Sequence, residues 1–315
     1  MESIYSPGSD PRTMSAELPP TLDPVAALRW SRRVPSESAW LHEEVGRRME
    51  DRLQWIRRRP ESWAHWEPVQ GGLGVHAALA QRYPDARCLV VEPLAPRRAV
   101  AERALHRPWW SPARWNASAL QFGAPDEGAV QMVWANMALH MAADPQALLR
   151  CWHRALAPDG FLMFSCLGPD TLRSVRDAWL RAGWPEPAHA FTDMHDWGDM
   201  LVNTGFAEPV MDMERITLTF SSPQRALSEL RHLGRNLHVA RFQGLRGHQW
   251  HLQALAALAR MASDSGSDVA LEFEVIYGHA LRGAPRLGIQ PETHLSLDEM
   301  RRVLHRGRVL PGAPQ

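Results

Sequence analysis

Three groups of residues are of a type and spacing that do chemistry. The first is the run Gln70-Gly71-Gly72-Leu73-Gly74. A glycine-rich loop between a strand and a helix lets backbone approach a ligand at the helix N-terminus, where unpaired amides favour phosphate or carboxylate. Gly72 and Gly74 fill two positions of a G-x-G-x-G pattern, and Gln70 stands in the first. The second is Glu92, which closes the apolar run Arg87–Val91 about 18–20 residues beyond those glycines. A carboxylate placed there accepts from both hydroxyls of a ribose. Loop and acid together point to a nucleoside site. An ordinary turn and a strand-end acid would read the same way, and the spacing does not separate an adenosyl-methionine site from a dinucleotide site. The third group is a set of polar residues able to meet an anionic acceptor. It comprises Asn136 and His140 after the run Val130–Asn136, the arginines Arg225, Arg231, Arg241 and Arg246, and His195 between Asp193 and Asp196. The two aspartates also suit a helix start, where a side-chain oxygen accepts from free amides.

Composition removes several chemistries. The chain contains no lysine, so Schiff-base, phosphate-loop and kinase-type lysine mechanisms are excluded, and every cation other than histidine is an arginine. Arginine suits bidentate binding of carboxylates. Lys+Arg and Asp+Glu are both 35, which gives no net field toward nucleic acid or an anionic membrane. Cys88, Cys151 and Cys166 form no CxxC pair, so neither a disulfide framework nor a zinc site is expected. No apolar run is long enough to span a membrane and no signal peptide is evident, so a reducing cytoplasm is expected. The 14 tryptophans against 3 tyrosines are read as core and interface residues, none of them in the site.

The elements that must position these groups alternate. Residues 1–24 read as a disordered leader, and 25–59 as helical, with Trp40, Leu41, Val45, Met49, Leu53 and Ile56 on one face. Strands are expected at 65–70, 87–91, 114–119, 130–136 and 161–166, with helices at 75–83, 96–105 and 145–156 between them. Alternation of this kind gives parallel pairing with right-handed crossovers. A helix over 196–204 and strands over 210–220 and 271–277 close the sheet. Residues 223–263 are helical in pattern and form an inserted lid over the carboxyl edge, where ligands bind in open α/β sheets. The expected organisation is therefore a leader (1–24), one domain (25–284) with the lid insertion, and a tail (285–315) with a short helix near 297–304.

The run WANMALHMAADPQALLRCWHRALAPDGFLMFSCLGPDTL (134–172) resembles the malonyl-acyl carrier protein O-methyltransferases of biotin synthesis, a class I family with a Rossmann-like, mostly parallel seven-stranded sheet. The resemblance continues in FTDMHDWGDMLVNTGFAEPVMDMERITLTF (191–220) and FEVIYGHA (273–280), and covers about residues 62–282. GPDTL and F-x-D-M-H-D are the more specific of these motifs; the loop glycines and Glu92 are generic to class I methyltransferases. The resemblance implies S-adenosyl-L-methionine as cofactor, held by Gly72, Gly74, Glu92, Asn116, Ala117 and Asn136. It also implies a malonyl thioester as acceptor, carried on acyl carrier protein or coenzyme A and met by Asn136, His140, His195, Arg231 or Arg241. No general base is implied, because a free carboxylate is already ionised near neutral pH. The chain departs from the family at Gln70, at Asn116 where an aspartate is usual, at Gln131 in the fourth strand, and in having Glu67 as the only acid near the first strand. Two further readings therefore stand beside the active enzyme. One is a weakened or inactive paralogue acting as a binding or regulatory protein; the other is a methyltransferase of another carboxylate or small molecule.

Overall fold

The computed structural model describes residues 21–33, 38–105, 120–265 and 268–283. Two helices come first, α1 (Pro24–Ser31) and α2 (Trp40–Arg52). Then follow β1 (Ser62–Trp66), a single helical turn α3 (Pro68–Gly71), α4 (Val75–Arg82), β2 (Arg87–Val91), α5 (Ala95–Leu105), β3 (Leu120–Phe122) and β4 (Val130–Ala135). The second half runs α6 (Pro145–Ala155), β5 (Leu156–Leu167), α7 (Arg173–Arg181), α8 (Met194–Thr204), β6 (Phe206–Phe220), α9 (Pro223–Leu233), α10 (His248–Ser265) and β7 (Val269–Arg282).

The seven strands form one sheet in the order β3-β2-β1-β4-β5-β7-β6. β1 to β5 are parallel, and β7 enters antiparallel between β5 and β6. The strand order reverses between β1 and β4, so their carboxyl ends open the crevice where such sheets bind ligands. The expected α/β class is borne out. β1 and β4 are buried on both faces, as parallel strands between helical layers must be. One apolar layer joins α2, α4, α7, α9 and α10 to the sheet, and the other joins α6 and α8.

Several boundaries differ from the sequence expectation. The helical run over 25–59 divides into α1 and α2, separated by the turn at Arg32. Leu22 and Asp23, expected in the leader, are structural: Leu22 is buried with Ala26, Ala27 and Leu237, and the Asp23 carboxylate caps α1. The first strand ends at Trp66 rather than Gln70, because Glu67 turns into the left-handed region (φ 45°) and Pro68 starts α3. The third strand expected at 114–119 lies outside the described residues; β3 is a three-residue strand beginning at Leu120. α7 was not expected, although Leu172, Val175, Ala178 and Trp179 recur at helical spacing. The insertion between β6 and β7 is helical at α9 and α10, with an irregular connection between them. The tail from 285 lies outside the described residues, and a compact unit ends at Gly283.

Candidate functional site

Two adjoining cavities lie at the carboxyl ends of the strands. The first, about 310 Å³, is lined by Ala27, Leu28, Trp30 and Ser31 of α1, His42 of α2, and Glu67, Gln70 and Gly71 after β1. Asn136, Met137 and Ala138 after β4 complete that wall. The second, about 420 Å³, lies under the insertion, between α7, α9 and α10. His140, His189, Phe191, Trp179, Trp250 and Phe273 face it, together with Arg231, Arg235, Arg241 and Arg246. Met141 and Leu233 line both cavities, so the two meet at those side chains.

The expected cofactor residues do not all face the first cavity. Glu43 of α2 accepts from the amides of Leu73 and Gly74, each at 2.9 Å. This carboxylate fills the anion-binding position at the start of α4, so the loop amides are already satisfied. The loop glycines sit against the same carboxylate. A Cβ on Gly74 would lie 2.7 Å from the Glu43 Oε2, and Gly72 has φ +117°, where side chains are strained. Neither glycine lines the cavity; Gly71 does. Gly71 is fixed from another side, because a Cβ there would stand 2.5 Å from the Asn136 carbonyl oxygen.

Glu92 also departs from its expected role. Its side chain has no exposed surface. Its Oε1 accepts from the Val69 amide at 2.9 Å, and its Oε2 lies 4.0 Å from Arg97 and has no hydrogen-bond partner. Burial pushes its carboxyl up to about 7, with the nearby Glu67 charge adding to the rise and the Val69 amide opposing it. α3 covers it, so no ribose reaches it in this conformation. Glu67, half-buried, pairs with the fully buried Arg97 at 2.9 Å and does line the cavity.

Asn136 is a structural latch. Its Nδ2 donates to the His42 carbonyl at 2.7 Å and to the Gly71 carbonyl, and its Oδ1 accepts from Ser165 Oγ at 2.6 Å. One buried amide thus ties α2, the glycine loop and β5 together, and Met137 beside it has φ 54°. Gln131 is equally structural, its Oε1 accepting from the Glu61 amide at 2.7 Å. Asn116 and Ala117 lie outside the described residues.

Of the acceptor candidates, His140 is buried with an unpartnered Nδ1 and packs edge-on against Phe191. Burial drives its pKa well below the ordinary value, with charge on His42 and His189 adding to the effect, so it is neutral at pH 7. Arg231 lies exposed at the cavity mouth. Arg241 is held by Asp23 at 2.6 Å and so is not a free cation. His195 reaches neither cavity. It is a surface side chain, 81% exposed, whose ring bonds its own helix cap Asp193 at 2.7 Å. Asp193 is the expected helix-start residue. Sequence reasoning missed Trp30 in the first cavity and Trp179 and Trp250 in the second. Their only sequence signal is an aromatic within an amphipathic helix, which does not separate cavity wall from core.

The residues present fit an adenosyl donor in the first cavity, with a revised set. Gln70 has a buried Nε2 without a partner, Glu67 supplies a carboxylate, and Met137, Ala138 and Trp30 supply apolar wall. A volume near 300 Å³ is within the range of small-molecule sites.

Comparison with known proteins agrees with the fold. Residues 69–164 match a family model described as a methyltransferase domain. The chain is 38% identical over 258 residues to the malonyl-[acyl-carrier protein] O-methyltransferase of Laribacter hongkongensis, covering 79% of this chain and 85% of that protein. It is 35% identical to the protein of the same name from Gallionella capsiferriformans, covering 79% and 87%. Among solved structures, YcgJ of Bacillus subtilis aligns with a TM-score of 0.50 at 11% identity, covering 75% of this chain and 98% of that one, a likeness of fold alone. With a helical insertion roofing an arginine-lined cavity beside the β1–β4 crevice, and with relatives of this identity along most of its length, the chain belongs to the malonyl-[acyl-carrier protein] O-methyltransferase family.

Proposed function

We propose that the protein transfers a methyl group from S-adenosyl-L-methionine to the free carboxylate of a malonyl thioester carried on acyl carrier protein, the step that its relatives' names describe and that serves biotin precursor synthesis. The observation that carries this reading is the second cavity. It brings Arg231, Arg235 and Arg246 to an apolar chamber that meets the donor cavity at Met141 and Leu233, and none of the three has an ion-pair partner among the described residues. Unpaired guanidinium groups around an apolar chamber select an anion able to bridge them.

When bound, S-adenosyl-L-methionine supplies an electrophilic methyl on a sulfonium. Gln70, Glu67, Gly71 and the Trp30 and Met137 walls would hold it. The chain's own contribution is alignment and dehydration. The acceptor carboxylate is ionised near pH 7, so no proton has to be removed, and the neutral His140 beside it adds no charge. Phe191, Trp179, Trp250 and Leu227 keep water from the reacting oxygen. Methylation cancels the acceptor's charge, which weakens its hold on the arginines and favours release. A cytoplasmic location fits three free cysteines, and no helix among the described residues is long and apolar enough to cross a membrane.

Incubation with malonyl-acyl carrier protein and methyl-labelled donor is expected to give a base-labile methyl ester on the malonyl group. Donor binding without any methyl transfer would favour the binding-protein reading. Label on another carboxylate but none on the malonyl group would favour a different acceptor.

A further inference from the structure

Three guanidinium groups gather where the two cavities meet, and no acid pairs with them. Arg235 follows α9 and lines the second cavity, and Leu233, two residues before it, lines both. The Arg235 guanidinium carbon lies 5.9 Å from the ring centre of Trp30, which walls the first cavity, and that of Arg33 lies 5.5 Å from the same ring. An indole face attracts cations and helps to hold both groups there. Arg235 Nη1 donates to the carbonyls of Arg231 and Gly234, the latter at 2.8 Å. Its Nε and Nη2 make no hydrogen bond among the described residues, and the residue is exposed, so a ligand can reach that edge. Partial burial lowers its pKa, the charges of Arg33 and Arg231 lower it further, and no acid acts in the other direction. Asp23 holds the neighbouring Arg241, whereas Arg33, Arg231 and Arg235 have no ion pair among the described residues. Like charges placed together repel, and an anion among them converts that repulsion into attraction. The Nε–Nη2 edge of arginine is also the edge that meets both oxygens of a carboxylate.

We infer that Arg235 binds the acceptor's carboxylate, its free Nε–Nη2 edge donating to both oxygens at the seam of the two cavities, with Arg33 and Arg231 supplying the field that draws an anion there. This rests on the acceptor reading above and makes it specific. The carboxylate that receives the methyl group must reach the donor, and the acceptor cavity meets the donor cavity at Met141 and Leu233. Arg246, the other unpaired arginine of the second cavity, stands instead over Phe242 and Trp250, at 4.2 and 4.5 Å from their ring centres. A carboxylate oxygen that accepts one N–H keeps a second lone pair for the methyl group. The methyl ester carries no charge, so the three cations no longer favour it, and the same contact separates substrate from product.

The test uses the full chain and calorimetry. S-adenosyl-homocysteine is titrated first, into wild type, Arg235→Met and Arg235→Lys. Malonyl-pantetheine, its neutral methyl ester, and phosphopantetheine without a malonyl group are then titrated into each protein saturated with S-adenosyl-homocysteine. Arg235→Met should weaken malonyl-pantetheine about tenfold or more and leave the other three ligands within about twofold. Arg235→Lys should recover only part of the loss, since an ammonium does not reproduce the planar fork. Arg33→Met removes field without removing the direct contact, so it should cost less than Arg235→Met. An arginine that only closes the end of α9 would move charged and neutral acceptors alike. Equal loss of malonyl-pantetheine and its methyl ester, or unchanged malonyl-pantetheine binding, in Arg235→Met would therefore overturn the assignment. A loss confined to S-adenosyl-homocysteine would give the cluster to the donor's own carboxylate, and one confined to phosphopantetheine would give it to the phosphate of the carrier's arm; either overturns it too. Failure of the acceptor reading would show in the wild type itself, as neither binding nor methylation of the malonyl thioester, and would overturn both.

Discussion

Asn136→Asp exchanges one donor group for an acceptor at the junction of α2, the glycine loop and β5. The native Nδ2 satisfies two carbonyls, those of His42 and Gly71, in a site where Asn136 is 1% exposed. Each buried acceptor left without a donor costs about 1–3 kcal/mol, so two give about 2–6 kcal/mol. An ionised carboxylate facing two carbonyl oxygens adds repulsion, and the aspartate relieves it by taking a proton. Its folded-state pKa then lies above its unfolded value of about 3.9. The sign follows from that. The charge penalty is absent below about pH 4 and grows as pH rises toward the folded pKa. A protonated aspartate still satisfies only one of the two carbonyls, so some loss persists at low pH. Urea unfolding of wild type and variant from pH 5 to 8 measures both parts: a loss of at least about 2 kcal/mol at pH 5, larger at pH 8. A variant as stable as wild type at pH 8, with weakened donor binding alone, would refute the latch and return Asn136 to the donor site.

Glu92→Gln should be neutral below about pH 4 and more stable than wild type at pH 8, by about 3 kcal/mol from a carboxyl raised from 4.5 to about 7. Because the raised pKa penalises the folded state only above the unfolded value, the urea midpoints of the two proteins should diverge as pH rises; donor affinity should stay within twofold. Gly71→Ala should destabilise by about 1–3 kcal/mol, since its Cβ meets backbone. Gly74→Ala should cost less, because the atom it meets is the end of the Glu43 side chain, and equal thermal shifts would count against this ordering. His195→Ala should leave kcat/KM for methyl transfer unchanged; a tenfold loss would restore it to the site.

β2 and β4 were legible because they are short apolar runs bounded by Gly, Pro and charged or polar residues. Arg87–Val91 and Val130–Ala135 were readable almost to the residue for that reason. The insertion between β6 and β7 was legible as helical, because an amphipathic stretch there cannot join the sheet. The donor loop was misread for a physical reason. Glycines report a close approach of something to backbone, and sequence does not say what approaches. At Gly74 it is Glu43, from a helix about 30 residues upstream. Glu92 was misplaced likewise, because strand-end position fixes a residue's location and not whether a turn such as α3 covers it.

The donor cavity draws part of its wall from segments that precede the sheet in sequence, and this can be tested apart from folding. Trp30 of α1 faces the first cavity, with the guanidinium of Arg33 5.5 Å and that of Arg235 5.9 Å from its ring centre. It packs on a small cluster of Leu22, Ala26, Ala27 and Leu237, separate from the two layers that hold the sheet. Loss of the indole should therefore spare the core. It should still open the cavity to water and release Arg235, which belongs to the acceptor cavity. Trp30→Ala is expected to raise the donor dissociation constant about tenfold, equivalent to ~1.4 kcal/mol, with a melting temperature near that of wild type. Trp30→Phe should retain most of the affinity, since it keeps an aromatic wall. If Trp30→Ala bound the donor as wild type does, α1 would be packing alone, and the donor would have to be held entirely by the β1 and β4 loops.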